Sequence, residues 1–321
     1  LLKRIKLVNP FRLAKNQFFA ASFFILISLS LKAQEGDKNP SWLFFSHDND
    51  LFAFTERTDR YYSFGANVEY AFLSQKIDSN QKWNNFYSIS GQVRGFTPDH
   101  LDEDPKENLV RPFLAHSSII LRKIKANSKF FITYGIQIGA TGRLVNAGSI
   151  QNWIHENISG DAQVDGWENQ IDRKFTIHFL YDWKKEIKKL NRHHFYLGSE
   201  QSFGNLFTYI APALSYQFHS KFKENYFPNH YRRGINGNLS LEAAIGFRYE
   251  FLNAAIEGEV FDQVDLIAND DIKRLLLTAE FQIRYDLEKV SFFYANYFNT
   301  RRVIENHHHI YGTLGMSFKF H

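Results

Sequence analysis

Along most of this chain hydrophobic residues alternate with small or polar ones at a period of two, the spacing of a strand with two unlike faces. Between Phe130 and Thr141 the even positions are Phe130, Ile132, Tyr134, Ile136, Ile138 and Ala140. The odd ones, Phe131 apart, are Thr133, Gly135, Gln137, Gly139 and Thr141. Residues 239–251 set Leu239, Leu241, Ala243, Ile245, Phe247, Tyr249 and Phe251 against Ser240, Glu242, Ala244, Gly246, Arg248 and Glu250. Leu275, Leu277, Ala279, Phe281, Ile283 and Tyr285 likewise alternate with Thr278, Glu280, Gln282 and Arg284. Strands of a soluble sandwich also alternate, but they are shorter and rarely carry charges in mid-strand beside a long aromatic stripe. Lipid on the apolar face, a polar interior on the other and closure that removes every unpaired edge account for the pattern.

About twelve such segments follow one another, near 41–48, 62–74, 85–96, 112–124, 129–142, 173–185, 194–203, 206–219, 238–251, 273–286, 289–299 and 309–320. An even count suits a bacterial barrel, and the last segment ends in Phe318 and Phe320, an aromatic terminal strand. The expected fold is therefore all-β, a transmembrane antiparallel β-barrel of about 12 strands with a short helix in an outer loop. With both ends of the barrel chain in the periplasm, the connections after odd-numbered strands face outward, and these are mostly long: 49–61, 97–111, 143–172, a tight one at Gly204-Asn205, 252–272 and 300–308. The inner turns are mostly short, such as Lys125–Ser128 and Asp286–Glu288.

Composition sharpens this picture. Lys3, Arg4, Lys6, Arg12 and Lys15 precede an apolar run from Phe18 to Leu31, so residues 1–34 are expected to be a secretory signal peptide, with a membrane-anchoring helix as the alternative. That segment holds six of the 38 basic residues and none of the 34 acidic ones, so residues 35–321 carry 32 − 34 = −2. The basic balance belongs to the leader, and no nucleic-acid footprint remains. The chain has no cysteine, and its 33 Phe, 16 Tyr and 5 Trp are enough to form aromatic girdles at membrane interfaces. Residues 35–321 are read as one barrel domain in the bacterial outer membrane, a monomer.

Chemistry concentrates in the stretch Ser149 to His155 and in Gly166 to Gln170. On a short helix Gln151 and His155 are four apart and share a face, with Ile150, Trp153 and Ile154 left to hold the helix against a wall. Histidine can take a proton near neutrality; a loop histidine without a role is the alternative.

Several stretches together resemble the lipid A 3'-O-deacylase family. They are Asn49-Asp50-Leu51-Phe52, the run from Thr58 to Gly65, Phe96-Thr97-Pro98, Arg111-Pro112-Phe113, Gln151 and His155, the run from Gly166 to Gln170, and Gly204-Asn205. The resemblance implies a twelve-stranded outer-membrane barrel that hydrolyses the 3'-linked acyloxyacyl ester of lipid A and depends on calcium. It implies that His155 is the general base, with Gln151 in the same segment, and that Asn49 and Asp50 are the paired polar residues at the end of the first strand. Ser63 falls at the family's hydroxyl position, usually Thr, and by alternation with Tyr62 and Phe64 is expected to point inward. Asp161 stands where the family has an acidic residue and, with Asp50, is a candidate calcium ligand. Arg60, Lys106 and Arg111 are candidates for binding the anionic substrate; Lys106 is only near the register of the family's lysine, and the usual Tyr-Thr-Asn-Gly is here Tyr62-Ser63-Phe64-Gly65.

The implied chemistry is physically coherent. An ester attacked by water develops negative charge on oxygen, which a cation held by Asp50 would stabilise while His155 takes the proton from water. Oxygen ligands and the lack of cysteine suit calcium better than zinc. Three alternatives stay open: Ser63 as a covalent nucleophile, Asn49 and Asp50 as a mere Asx-turn, and a non-catalytic barrel, either a channel or an inactive relative. An outer-membrane phospholipase is set aside, because no Ser, His and Asn stand in that family's spacing.

Overall fold

The computed structural model describes residues 39–54, 61–74, 83–98, 112–160, 162–221, 236–257, 271–303 and 307–320. The expected signal peptide and the candidates Arg60, Lys106, Arg111 and Asp161 lie outside them. Twelve strands form a closed antiparallel barrel in which every strand pairs with its sequence neighbours and the first pairs with the last. They are β1 (Ser41–Asn49), β2 (Tyr61–Leu73), β3 (Asn84–Thr97), β4 (Leu114–Ala126), β5 (Phe130–Thr141), β6 (Phe175–Leu190), β7 (His193–Gly204), β8 (Phe207–His219), β9 (Asn238–Asn253), β10 (Leu275–Asp286), β11 (Val290–Asn299) and β12 (His309–Phe320). Two α-helices, α1 (Ala147–Ile154) and α2 (Ala254–Glu257), lie in connections at one end, with 3-10 turns at Asp50–Phe52 after β1, Arg143–Val145 and Trp167–Asn169. No helix among the described residues is long and apolar enough to cross a membrane; the strands do so.

The expected segments end within two residues of the observed strands, except that β6 runs on to Leu190. Its last turn of sequence, Lys184 to Leu190, loses the alternation, and a register shift between Glu186 and Lys188 keeps it paired with β7. Closure gives every strand two partners, which matters because an unpaired backbone group in hydrocarbon costs several kcal/mol. The apolar stripes read from the sequence face outward: Tyr134, Ile136, Ile138, Ile245, Phe247, Phe251 and Leu275 are all exposed on the outer surface.

The interior differs from the uniformly polar lining that the alternation implies. Near the end where β1 begins and β12 finishes, Trp42, Phe44, Leu73, Phe86, Ile124 and Tyr196 pack inward as an apolar layer. Above it lies a belt of charge. Lys184 of β6 meets Glu242 of β9 at 2.6 Å, reaching across two intervening strands, and Arg122 of β4 pairs with Glu69 of β2 at 3.6 Å. Higher still, the Arg248 guanidinium lies 3.5 Å over the Tyr209 ring. The mouth at the loop end is filled by Phe96, Leu114, Leu206, Ala254 and Ala255, so α2 packs into the opening.

Candidate active site on the outer face of the barrel

The long connection after β5 supplies the site's helix. Asn146, in the left-handed region at φ 53°, turns the chain into α1, and its side chain accepts from the Ser149 hydroxyl. At its other end α1 runs into a π-helical turn, His155–Ser159, closed by the Gly160 N–H on the His155 carbonyl at 2.8 Å. Such turns widen a helix locally and are frequent at functional sites.

After that turn the chain doubles back along α1, and three contacts fasten the return. His155 Nδ1 lies 2.5 Å from the Ala162 carbonyl. Asn152 clamps Val164, accepting from its N–H at 2.8 Å and donating to its carbonyl at 3.3 Å. The Trp167 indole N–H donates to Gln151 Oε1 at 2.8 Å. Trp167 can lie this close because residue 148 is glycine: a Cβ there would come within 2.6 Å of the indole ring.

A carbonyl can only accept, so the His155–Ala162 contact makes Nδ1 the donor, and Nε2 is the ring nitrogen that could take up a proton. The π turn thus presents the His155 ring in a fixed orientation, with Nδ1 as its donor to the Ala162 carbonyl.

The helix seats on the outer surface of the wall. Cross-strand partners share a face, and Asp48, Gly65, Arg94 and His116 form one row across β1 to β4. Asp48 accepts from the hydroxyls of Thr313 and Tyr62 inside the barrel. Asn49, Phe64 and Ala115 are therefore on the opposite, outer face. Phe64, Phe113 and Ala115 pack there with Val145, Ala147, Val164 and Trp167 in one buried cluster. This is also where Asn49 lies, directly across the ladder from Phe64.

Two expectations change here. Ser63 was expected to face the lumen, but a bulge between Tyr62 and Phe64 inserts it as an extra residue. Tyr62 faces in, with its hydroxyl on Asp48 and its ring against Phe96 and Tyr311. The Ser63 hydroxyl instead meets that of Thr97 at 2.5 Å, and Thr97, following the inward Phe96, takes the outer face. The second change concerns α1. Gln151, Ile154 and His155 are its buried side, and Trp153, expected to brace it against a wall, is exposed.

The structure buries all five described candidates: Asn49 is 7% exposed, Asp50 3%, Ser63 0%, Gln151 2% and His155 4%. Asn49 and Ser63 flank the outward cluster from the strand side, and Gln151 and His155 approach it from the helix side. Asn49 does form the Asx-type cap, accepting from the Leu51 N–H at 2.7 Å. Among the described residues no three His, Asp or Glu side chains gather to hold a metal ion. Asn49, Asp50, Ser63 and Thr97 nonetheless offer only oxygen and amide donors, chemistry that fits a hard cation completed by carbonyls and water.

Comparison with known proteins bears on this geometry. The family described as outer membrane protein LpxR matches residues 18–320. The chain belongs to the LpxR family. Among solved structures, LpxR from Salmonella typhimurium has a TM-score of 0.68 at 18% identity, over 86% of this chain and 99% of that one. The β domain of the Bordetella autotransporter BrkA gives 0.47 at 9% identity, over 88% of this chain and 99% of that one. The translocator domain of NalP from Neisseria meningitidis gives 0.44 at 6%, over 97% and 99%. No curated protein matches by sequence. Membership of the LpxR family places this barrel in the bacterial outer membrane, its exposed stripes in lipid. Within that frame, sequence reading passed over Asn152, the Ala162 carbonyl and Thr97 as parts of the site. Asn152 and Thr97 stood in stretches already singled out, whereas a backbone carbonyl leaves no mark in a sequence.

Proposed function

We propose that the protein is an outer-membrane esterase acting on lipid A, removing the 3'-linked acyloxyacyl group by hydrolysis. LpxR-family membership supports the coarser part of this reading, a lipid A deacylase and so a hydrolase. The observation that carries the finer part is the His155–Ala162 contact, which leaves Nε2 as the basic nitrogen of a buried, immobilised ring. In this reading His155 Nε2 takes the proton from an attacking water, and Gln151, its amide oxygen held by the Trp167 indole N–H, helps to position that water beside the ring. Water is preferred to Ser63 as nucleophile because the partner of the Ser63 hydroxyl is another hydroxyl, which is no base.

Calcium is part of the proposal, with Asp50 and Asp161 as its carboxylates; when bound it would supply positive charge toward the ester oxygen. Arg60, Lys106 and Arg111 are proposed to hold the phosphates of lipopolysaccharide by charge-assisted hydrogen bonds. The barrel is proposed to act as a monomer.

The test is mass spectrometry of lipid A after incubation with the purified chain, with calcium or with a chelator. Loss of one 3'-acyloxyacyl mass with calcium alone is the expected result. Unchanged lipid A under both conditions, from folded protein, refutes the proposal.

A further inference from the structure

Two exposed aromatic side chains bracket the site, and the fold has gone to some length to put them there. After Asn49 the chain does not rise from the rim but folds back over the outer surface of β11 and β12. Tyr294 and Asn296 face outward, since they alternate with the buried Ala295. The Tyr294 hydroxyl donates to the Phe52 carbonyl at 2.5 Å, and the Phe54 N–H donates to Asn296 Oδ1 at 3.0 Å. Gly312 makes this approach possible, because a Cβ there would stand 2.3 Å from the Phe52 carbonyl oxygen. The strap ends with the Phe54 ring edge-on to Tyr294 at 5.1 Å and 64% exposed. On the other side of the site, Trp153 stands on the outer side of α1, 57% exposed, among the polar residues Ser149, Asn152 and Glu156.

Both rings continue the lipid-facing band. Below Phe54 on the same two strands are the exposed Phe292 and Leu314; on β4 and β5, whose outer ends adjoin α1, are Ile119 and Ile138. Trp and other amphipathic aromatics settle at the boundary between headgroups and acyl chains, and a lone aromatic on the polar side of a surface helix is how such an anchor looks.

We propose that Trp153 and Phe54 are interfacial anchors that seat α1 and the strap after β1 in the headgroup–acyl boundary of the outer leaflet. The partner is the lipid bilayer itself. A second copy of the chain would need a contiguous patch of about 800 Å² on each side, whereas these are two rings separated by the site. The consequence is that both segments bearing the candidate residues are held at one depth in the membrane, independently of any turnover.

The full chain reconstituted in phosphatidylcholine bilayers tests this, with a fraction of the lipid brominated near the headgroup end of its acyl chains. The readout is the difference in tryptophan emission between the protein and W153F, and separately F54W placed in the W153F background. Trp153 is more than half exposed and phenylalanine keeps an aromatic ring there, so W153F should fold unchanged. Bromolipid should quench the Trp153 difference signal and the F54W signal, and iodide in the water should not. Quenching by iodide without quenching by bromolipid would overturn the proposal. So would an emission that responds to dilution of protein in the bilayer instead of to bromine, because a second copy would then cover the ring. Neither readout requires hydrolysis, so the anchor and the esterase reading can fail separately.

Discussion

His155→Asn separates the chemistry of the site from its architecture. The Nδ1–H of His155 donates to the Ala162 carbonyl at 2.5 Å, and an asparagine amide can donate to the same carbonyl from nearly the same place. The return segment should therefore stay fastened, also by Asn152 and Trp167, and the loss of stability should be about 1 kcal/mol, the net worth of one rearranged hydrogen bond. What asparagine cannot supply is the lone pair at Nε2. A positioned general base contributes about 10²–10⁴-fold, so hydrolysis of lipid A should fall by that factor, equivalent to about 3–5 kcal/mol on the barrier. The assay is the initial rate of acyl release in bilayers, with thermal unfolding of the same preparation as control. A variant that melts with the parent protein and retains its full rate would show that His155 Nε2 takes no proton, and the mechanism would have to start from another group.

The other predictions follow from neighbouring contacts. Trp167→Phe keeps the ring in the outward cluster but removes the donor to Gln151, so a loss of about 1–3 kcal/mol in stability and a lower rate are expected; equal unfolding midpoints would contradict the bond's importance. Gly312→Val would drive a side chain into the Phe52 carbonyl, and the strap should lift from β11 and β12, which hydrogen exchange at the Phe54 amide would report as lost protection. If Asp50 holds calcium, added calcium should raise the unfolding midpoint of the parent protein but not of Asp50→Asn, a linkage effect of about 2.7 kcal/mol at a hundredfold excess over the dissociation constant. An equal rise in both proteins would remove Asp50 from the ligand set.

Much of the barrel was legible because lipid imposes a period of two on every strand that meets it. Ile136, Ile245 and Leu277 had to be apolar, and their alternation with Gln137, Gly246 and Thr278 gave strand and face together. Where both faces are apolar the rule loses its hold. In β1, Trp42 and Phe44 turn inward while Leu43 and Phe45 turn to lipid, so the inner apolar layer could not be read. One inserted residue was enough to reverse Ser63, because a bulge shifts the period by one and leaves no distinctive residue behind. On α1 a helical period placed Gln151 and His155 on one side, correctly, but nothing local said that the polar side would be the covered one. That depends on Phe64, Phe113 and Ala115, which lie far off in sequence.

The distribution of polar groups also bears on the rival reading of a passive channel. A channel keeps its lining charges hydrated and its mouth open; here Lys184 reaches over two strands to Glu242, and Phe96, Leu114 and Leu206 pack in the loop-end opening. Charge inside this barrel ties non-adjacent strands together. On the outer wall the buried polar residues Asn49 and Ser63 adjoin Phe64, whose cluster carries the return segment of α1, and on α1 Gln151 and His155 are buried too. Buried polar groups facing a bilayer are costly unless they are paired or used. A lipid ester need not leave the membrane to reach a site placed there, whereas a site in the lumen would require its acyl chains to cross a charged interior.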